Sequence, residues 1–265
     1  MFSRLQLAKK FLNYYFSASN GNGHGIHSPF VFDFVKNVLN DNTQYEAYGT
    51  VESVRKQMLT DKRMVEIEDM GAGSVISKTT QRKVSDITHH AVKPRKFGQL
   101  LFRIVKHYQP SNIIELGTSL GITTSYLALA NRQASVISIE GAAAIADIAK
   151  NNFKKLGLNN IEVIEGNFDL VLQKALLAFT TLDFVFVDGN HRKDPTLQYF
   201  LAAIDKIDNR SILIFDDIHW SREMEEAWEI IKAHPSVTMS IDMFFIGLVF
   251  FRNEFKIKQH FVINF

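Results

Sequence analysis

The sequence predicts an α/β fold: a doubly wound, mostly parallel sheet of seven strands with a C-terminal antiparallel hairpin, preceded by a helical region. Three observations carry this expectation. From Asn112 onward, apolar runs at 113–116, 135–139, 161–164, 182–187 and 212–215 alternate with helical stretches around 123–131, 142–156, 170–178, 195–207 and 221–233. The runs 184–187 (FVFV) and 212–215 (ILIF) are apolar on both faces, as parallel strands covered by helices on each side must be. Beyond Pro235, the runs 237–245 and 247–252 are joined too tightly to hold a crossover helix, so they must pair antiparallel.

Taken in order, the chain begins with Leu5, Leu7, Ala8, Phe11, Leu12, Tyr15 and Phe16 at helical spacing, which predicts a packing helix. The loop GNGHGIH follows, with His24 and His27 at a spacing seen in metal sites but with no third ligand nearby. Ser28 and Pro29 supply an N-cap and a first-turn proline for a helix to about Leu39, and 44–59 reads as another helix. The segment EDMGAGS at 68–74 imitates a glycine-rich ligand loop, but the polar stretch after it cannot form the core helix such a turn requires, so it reads as a loop. Phe97, Leu100, Leu101, Ile104 and Val105 then mark a helix ended by Pro110. The division expected is a helical cap over residues 1–94 and a ligand-binding domain over 95–265. The alternation in 255–265 is strand-like but has no assigned place.

The stretch SNIIELGTSLGITTSYLA, 111–128, organises the rest. An apolar strand ends in Glu115, then Gly117 and Gly121 frame Thr118, Ser119 and Leu120, and a helix follows. Glycine serves where φ turns positive or a ligand must reach bare backbone, and the helix start offers unpaired N–H groups. The Gly-x-x-x-Gly spacing differs from the dinucleotide fingerprint, which disfavours a nicotinamide-dependent oxidoreductase. In an open α/β sheet ligands lie beyond the carboxyl ends of the strands. Those ends carry Glu115 and Gly117, then Glu140 and Gly141, then Gly166, Asn167 and Phe168, then Asp188, and finally Asp216 with Asp217. Three carboxylates at Asp188, Asp216 and Asp217 would repel one another, and a divalent cation removes the conflict. Without any cysteine, the donors suit Mg²⁺, Mn²⁺ or Ca²⁺. His191, three residues after Asp188, can accept a hydroxyl proton near neutral pH, ligate a metal, or simply bond a neighbouring acid. His219 is a weaker candidate for the same tasks, and Trp220 could stack on an aromatic acceptor.

These motifs resemble the class I S-adenosylmethionine-dependent methyltransferases, over about residues 95–252. The resemblance implies that Glu115, Gly117, Thr118, Ser119 and Gly121 face the amino-acid end of S-adenosylmethionine. It also implies that Glu140 and Gly141 hold the ribose, and that Asn167 and Phe168 meet the adenine. The second constellation, VDGNHR and FDDIHW, is similar to the catechol and caffeoyl-CoA O-methyltransferases. There an Asp after the fourth strand and an Asp-Asn pair after the fifth hold a metal, which maps onto Asp188, Asp216 and Asp217, with Asp217 replacing the Asn. Asp188 is also carried over as a cofactor contact, and His191 stands where that branch has a proton-accepting lysine. The expected activity is O-methylation of a small hydroxylated acceptor, a class that includes catechols.

Composition sets the outer bounds. The 265 residues are 46% hydrophobic and 22% charged with a net charge of +2, an ordinary globular balance that disfavours nucleic acid as partner. Arg82, Lys83, Lys93, Arg95 and Lys96 keep methylation of an RNA base as an alternative, and a non-catalytic cofactor-binding protein is the other. Charges interrupt the first 16 residues before a signal-peptide core forms, and no run approaches the ~18 apolar residues of a membrane span. A cytoplasmic protein is expected, with a small-molecule acceptor as partner, no membrane, and a homodimer allowed.

Overall fold

The computed structural model describes residues 1–19, 28–67 and 81–265. In chain order its elements begin with helix α1 (Arg4–Ser17), helix α2 (Pro29–Phe34) continuing as a π-helical turn (Val35–Leu39), and α3 (Glu46–Leu59). A small antiparallel pair, β1 (Met64–Glu66) and β2 (Gln81–Lys83), leads to α4 (Val84–His90) and α5 (Arg95–Tyr108). Strand and helix then alternate through β3 (Asn112–Leu116), α6 (Ile122–Ala130), β4 (Ser135–Glu140), α7 (Ala143–Lys155), β5 (Ile161–Glu165) and α8 (Phe168–Leu177). They continue through β6 (Leu182–Val187), α9 (Lys193–Ile204), β7 (Ile207–Asp216) and α10 (Arg222–Ala233) to β8 (Met239–Asp242), β9 (Ile246–Phe250) and β10 (Gln259–Val262). The main sheet has the strand order β10-β8-β9-β7-β6-β3-β4-β5. The motifs at 20–27 and 68–74, including His24 and His27, lie outside the described residues.

Two compact units emerge, Asn42–Leu177 and Met1–Asp41 with Ala178–Phe265. In the first of these, β3, β4 and β5 pair in parallel, with Glu115 opposite Ser138 and Glu140 opposite Glu165. The fully buried Leu100, Leu101 and Ile104 of α5 and Tyr126 of α6 belong to its core. A side chain on Gly98 would stand 2.7 Å from the Tyr126 ring, so glycine is what lets α5 and α6 approach.

In the other unit β6 and β7 are parallel, while β9 lies antiparallel to both β7 and β8. The expected hairpin is therefore present, and its second strand is the one that pairs with β7. Phe184, Phe186, Phe200, Phe215, Trp228 and Phe250 are buried here. The tail adds an eighth strand to the seven expected: β10 runs parallel to β8, with His260 opposite Ser240. Helix α1, started by a capping box at Ser3 and Gln6, joins this unit through the Tyr14 hydroxyl, which donates to the Ile263 carbonyl. Phe11 packs edge-on to Phe244 at 5.2 Å. The helices of residues 1–94 are thus shared between the two units.

Candidate active site

The strand-loop-helix at β3 and α6 is built around a buried acid. Glu115 is fully buried, and its Oε2 accepts hydrogen bonds from the Ser138 hydroxyl (2.6 Å) and from the Thr124 hydroxyl. Its Oε1 is equally buried and has no hydrogen-bond partner among the described residues. Burial raises this carboxyl to about 7, with the nearby Glu140 charge adding to the effect and the Ser138 and Thr124 hydrogen bonds opposing it. An orphaned buried carboxylate oxygen is costly, and a cationic or N–H-bearing ligand removes that cost.

The glycine loop is held against the next strand. The N–H groups of Gly117 and Thr118 both donate to the Ile139 carbonyl, at 3.0 and 3.1 Å. Gly117 takes φ 106° and Ser119 φ 47°, a left-handed conformation that costs a serine about 1 to 2 kcal/mol. Glu140 compensates: its Oε2 accepts the Ser119 N–H at 2.8 Å and its Oε1 the Ala142 N–H at 3.0 Å. Burial raises the Glu140 carboxyl while these backbone bonds oppose the rise. Gly141 lies within this bracket. Thr118, expected to face a ligand, is buried with its hydroxyl 2.6 Å from that of Ser138, so its side chain supports Glu115. Gly121 (φ 77°) caps α6, and a Cβ there would come 2.5 Å from the Phe153 ring, so helix packing is enough to demand glycine here. At the end of β5, Asn167 spends its side-chain oxygen on the Asp169 N–H at 2.8 Å, and Phe168 opens α8 half-buried.

In the other unit, the ends of β6 and β7 bring Asp188, His191 and Asp216 together, with one ligand atom from each lying within 4.8 Å of the others. His191 Nε2 is 3.8 Å from Asp188 Oδ1 and 3.9 Å from Asp217 Oδ2. Asp216 is 2% exposed, while Asp188 and His191 are half-buried. Asp217 takes a left-handed conformation (φ 54°) with its N–H donating to the Phe245 carbonyl at 2.7 Å, which turns the chain at the strand end. Among the described residues, the three-residue cluster contains His191 where the sequence placed Asp217. Two carboxylates and an imidazole are a donor set that fits a divalent cation.

The strand-end residues from Glu115 to Asp217 lie within 114–218, the stretch that matches the family model described as "Methyltransferase domain". Over that stretch the chain is similar to a methyltransferase domain. Its fold is that of the class I methyltransferases. The SAH-bound methyltransferase of Podospora anserina superposes with a TM-score of 0.58 at 12% identity, covering 96% of this chain and 98% of that one. The SAH-bound O-methyltransferase of Bacillus cereus gives a TM-score of 0.53 at 21% identity, covering 83% and 97%. A catechol O-methyltransferase of Niastella koreensis is 28% identical over 126 residues, 46% of this chain and 55% of that protein, so the match spans about half of the relative's length.

Two features of the methyltransferase domain and its surroundings went unread in the sequence. Ser138 and Thr124 flank Glu115, and Ser138 was legible as the polar member of the apolar run VISIE. His219 is no free base: Nδ1 lies 2.9 Å from Glu225 and Nε2 2.9 Å from Asp242, and its ring stacks on Phe244 at 5.1 Å. Burial opposes its protonation, yet the Asp242 and Glu225 carboxylates together hold its value above that of an ordinary histidine. The Trp228 indole N–H donates to Asp242 at 3.1 Å and Lys10 Nζ to Glu225 at 2.9 Å, completing a structural network between α1, α10 and β8. Among the described residues, no helix is long and apolar enough to cross a membrane.

Proposed function

We propose that this chain is an S-adenosylmethionine-dependent O-methyltransferase acting on a small hydroxylated acceptor, catechols included. The observation that carries the reading is Glu115: a fully buried carboxylate with one unpartnered oxygen, at the head of a glycine loop inside a methyltransferase domain. Such an oxygen calls for a cationic ligand group, and the ammonium of the cofactor's methionine end is one. Glu115, Gly117, Ser119 and Gly121 are assigned to that end, with Thr118 as support. Glu140 and Gly141 are assigned to the ribose, Asn167 and Phe168 to the adenine, and Asp188 to the cofactor and the acceptor together. The Glu140 oxygens accept the Ser119 and Ala142 N–H groups and keep lone-pair capacity for a ribose hydroxyl.

S-adenosylmethionine supplies a methyl group on a sulfonium, an excellent leaving group. The acceptor O–H gives up its proton, the oxygen lone pair forms the C–O bond, the C–S bond breaks, and a neutral thioether leaves. The protein's contribution is alignment of oxygen, carbon and sulfur, and stabilisation of the anionic oxygen. Asp188 and Asp216 would hold a divalent cation, with Asp217 beside them, and a bound cation supplies positive charge that acidifies a coordinated hydroxyl. His191 Nε2, placed between Asp188 and Asp217, can receive the proton or bind the cation. Both roles use the same lone pair, so they exclude each other. Residues 1–94 are assigned to covering the acceptor, and 95–265 to the transferase domain. The nucleic-acid alternative has no specific observation in its favour.

The test is incubation of the full chain with methyl-labelled cofactor and a panel of catechols and other phenols. Label transfer to an acceptor oxygen is the expected result. Failure to bind S-adenosylhomocysteine by calorimetry would overturn the reading, and cofactor binding without transfer to any acceptor would favour a non-catalytic binding protein.

A further inference from the structure

We propose that His191 is a metal ligand and that the Asp188, His191 and Asp216 set takes a borderline later first-row divalent ion, of the Co²⁺ or Zn²⁺ class, in preference to Mg²⁺ or Ca²⁺. The inference rests on the methyltransferase reading for its expectation of a cation, and departs from the all-oxygen ligand set that the sequence resemblance implied.

The geometry suits ligation. His191 Nε2 stands 3.8 Å from Asp188 Oδ1 and 3.9 Å from Asp217 Oδ2. Two ligands on one cation with bonds of roughly 2.1 Å stand at most about 4.2 Å apart, so the Asp188 and His191 atoms are already spaced as partners on an ion. The whole cluster lies within 4.8 Å, and rotation of side chains closes what remains. The placement has a local cause. Asn190 adopts φ 56° just after β6, its amide donates to the Tyr199 hydroxyl at 2.9 Å, and its carbonyl accepts Arg192 Nε at 2.8 Å. This fixed turn brings His191 back over the strand end beside Asp188 and the buried Asp216.

The donor chemistry then selects the ion. Mg²⁺ demands near-octahedral oxygen coordination and Ca²⁺ takes six to eight oxygens, whereas imidazole nitrogen suits the later first-row metals. Asp217 Oδ2, 3.9 Å from His191 Nε2, has the same spacing and can add a further oxygen without removing the nitrogen donor.

The experiment uses the full chain, stripped with chelator and dialysed. Calorimetric titrations with MgCl₂, CaCl₂, MnCl₂ and ZnCl₂ are paired with the visible ligand-field spectrum of added Co²⁺. The expected result is one-to-one binding of Co²⁺ and Zn²⁺, with Mg²⁺ and Ca²⁺ weaker by on the order of 100-fold and Mn²⁺ in between. His191→Ala should erase the Co²⁺ spectrum of the site, and His191→Asp should shift preference toward Mg²⁺ and Ca²⁺. The chain has nine histidines, so the His191→Ala comparison separates this site from adventitious Zn²⁺ binding. Equal affinity for Mg²⁺ and Zn²⁺, an unchanged Co²⁺ spectrum in His191→Ala, or no cation binding would each overturn the proposal. Titration of S-adenosylhomocysteine into the same preparations distinguishes the two failures. Cofactor binding without metal selectivity sinks this inference alone, and metal selectivity without cofactor binding sinks the methyltransferase reading.

Discussion

Replacing Glu115 with glutamine tests the centre of the proposed cofactor site, because two opposite effects must appear together. The free protein holds this carboxyl at about 7, against 4.5 for the exposed group, chiefly through burial. If only the ionised form receives the cofactor's ammonium, about half the protein is competent at pH 7 and about a tenth at pH 6, so the apparent affinity for S-adenosylhomocysteine falls roughly tenfold at pH 6 relative to pH 8.5. Stability runs the other way. The native state binds more protons than the unfolded state between pH 4.5 and 7, so Glu115 lowers stability as pH rises through that window, by a total on the order of 3 kcal/mol above pH 7. Glu115→Gln abolishes both slopes. Its amide nitrogen at the orphaned Oε1 position costs about 1 to 3 kcal/mol, so the variant should be close to the parent in stability at pH 8 and less stable at pH 5. Calorimetry of S-adenosylhomocysteine binding and urea unfolding, each from pH 5 to 8.5 with the variant as reference, supply the data. Any titration of the ligand's own amine is common to both proteins and cancels in the difference. Equal pH dependence of binding in parent and variant would refute the placement of the ammonium at Glu115.

Glu140→Ala frees the Ser119 and Ala142 N–H groups and removes the proposed ribose acceptor, so cofactor affinity should fall roughly 10- to 100-fold by calorimetry with the fold intact by circular dichroism. His219→Ala strands Asp242, which keeps only the Trp228 and Phe244 donors; discounting a buried-pair loss for the 22% exposure of the histidine side chain, urea unfolding should show about 2 to 3 kcal/mol lost at pH 6. His219 is raised, so its contribution is complete below about pH 6.5 and fades as pH rises through its folded value. Asp242 is lowered, chiefly because its contacts with His219, Phe244 and Trp228 outweigh burial, and its contribution fades as pH falls through its folded value; the loss in the variant should therefore shrink at high pH. Gly121→Ala places a methyl 2.5 Å from the Phe153 ring at a φ of 77°, and thermal unfolding should register at least 1 to 3 kcal/mol of destabilisation together with weakened cofactor binding.

The sequence by itself determined the strand and helix alternation, the strand-end carboxylates and the glycine loop. These are local signals: double-faced apolar runs, a polar residue where a run stops, and glycines between strand and helix. Glu115, Glu140, Asp188 and Asp216 could be named because each ends an apolar run, and a strand end needs no long-range information to be found. What those side chains touch was decided by the tertiary structure. That Thr118 turns inward to Ser138, that Gly121 answers to Phe153, and that Glu115 has one oxygen satisfied and one not all depend on residues up to 32 positions away. His191 comes to Asp188 and Asp216 where the chain turns left-handed at Asn190 and Asp217, and a positive φ at a residue other than glycine leaves little trace in sequence. The His219 network and the edge strand β10 lay furthest from view. His219 and Asp242 are 23 positions apart, and the hydroxyl of Tyr14 meets the carbonyl of Ile263 across 249. Local periodicity falls off within a few turns of chain, whereas such contacts exist only once packing has chosen which distant groups face each other.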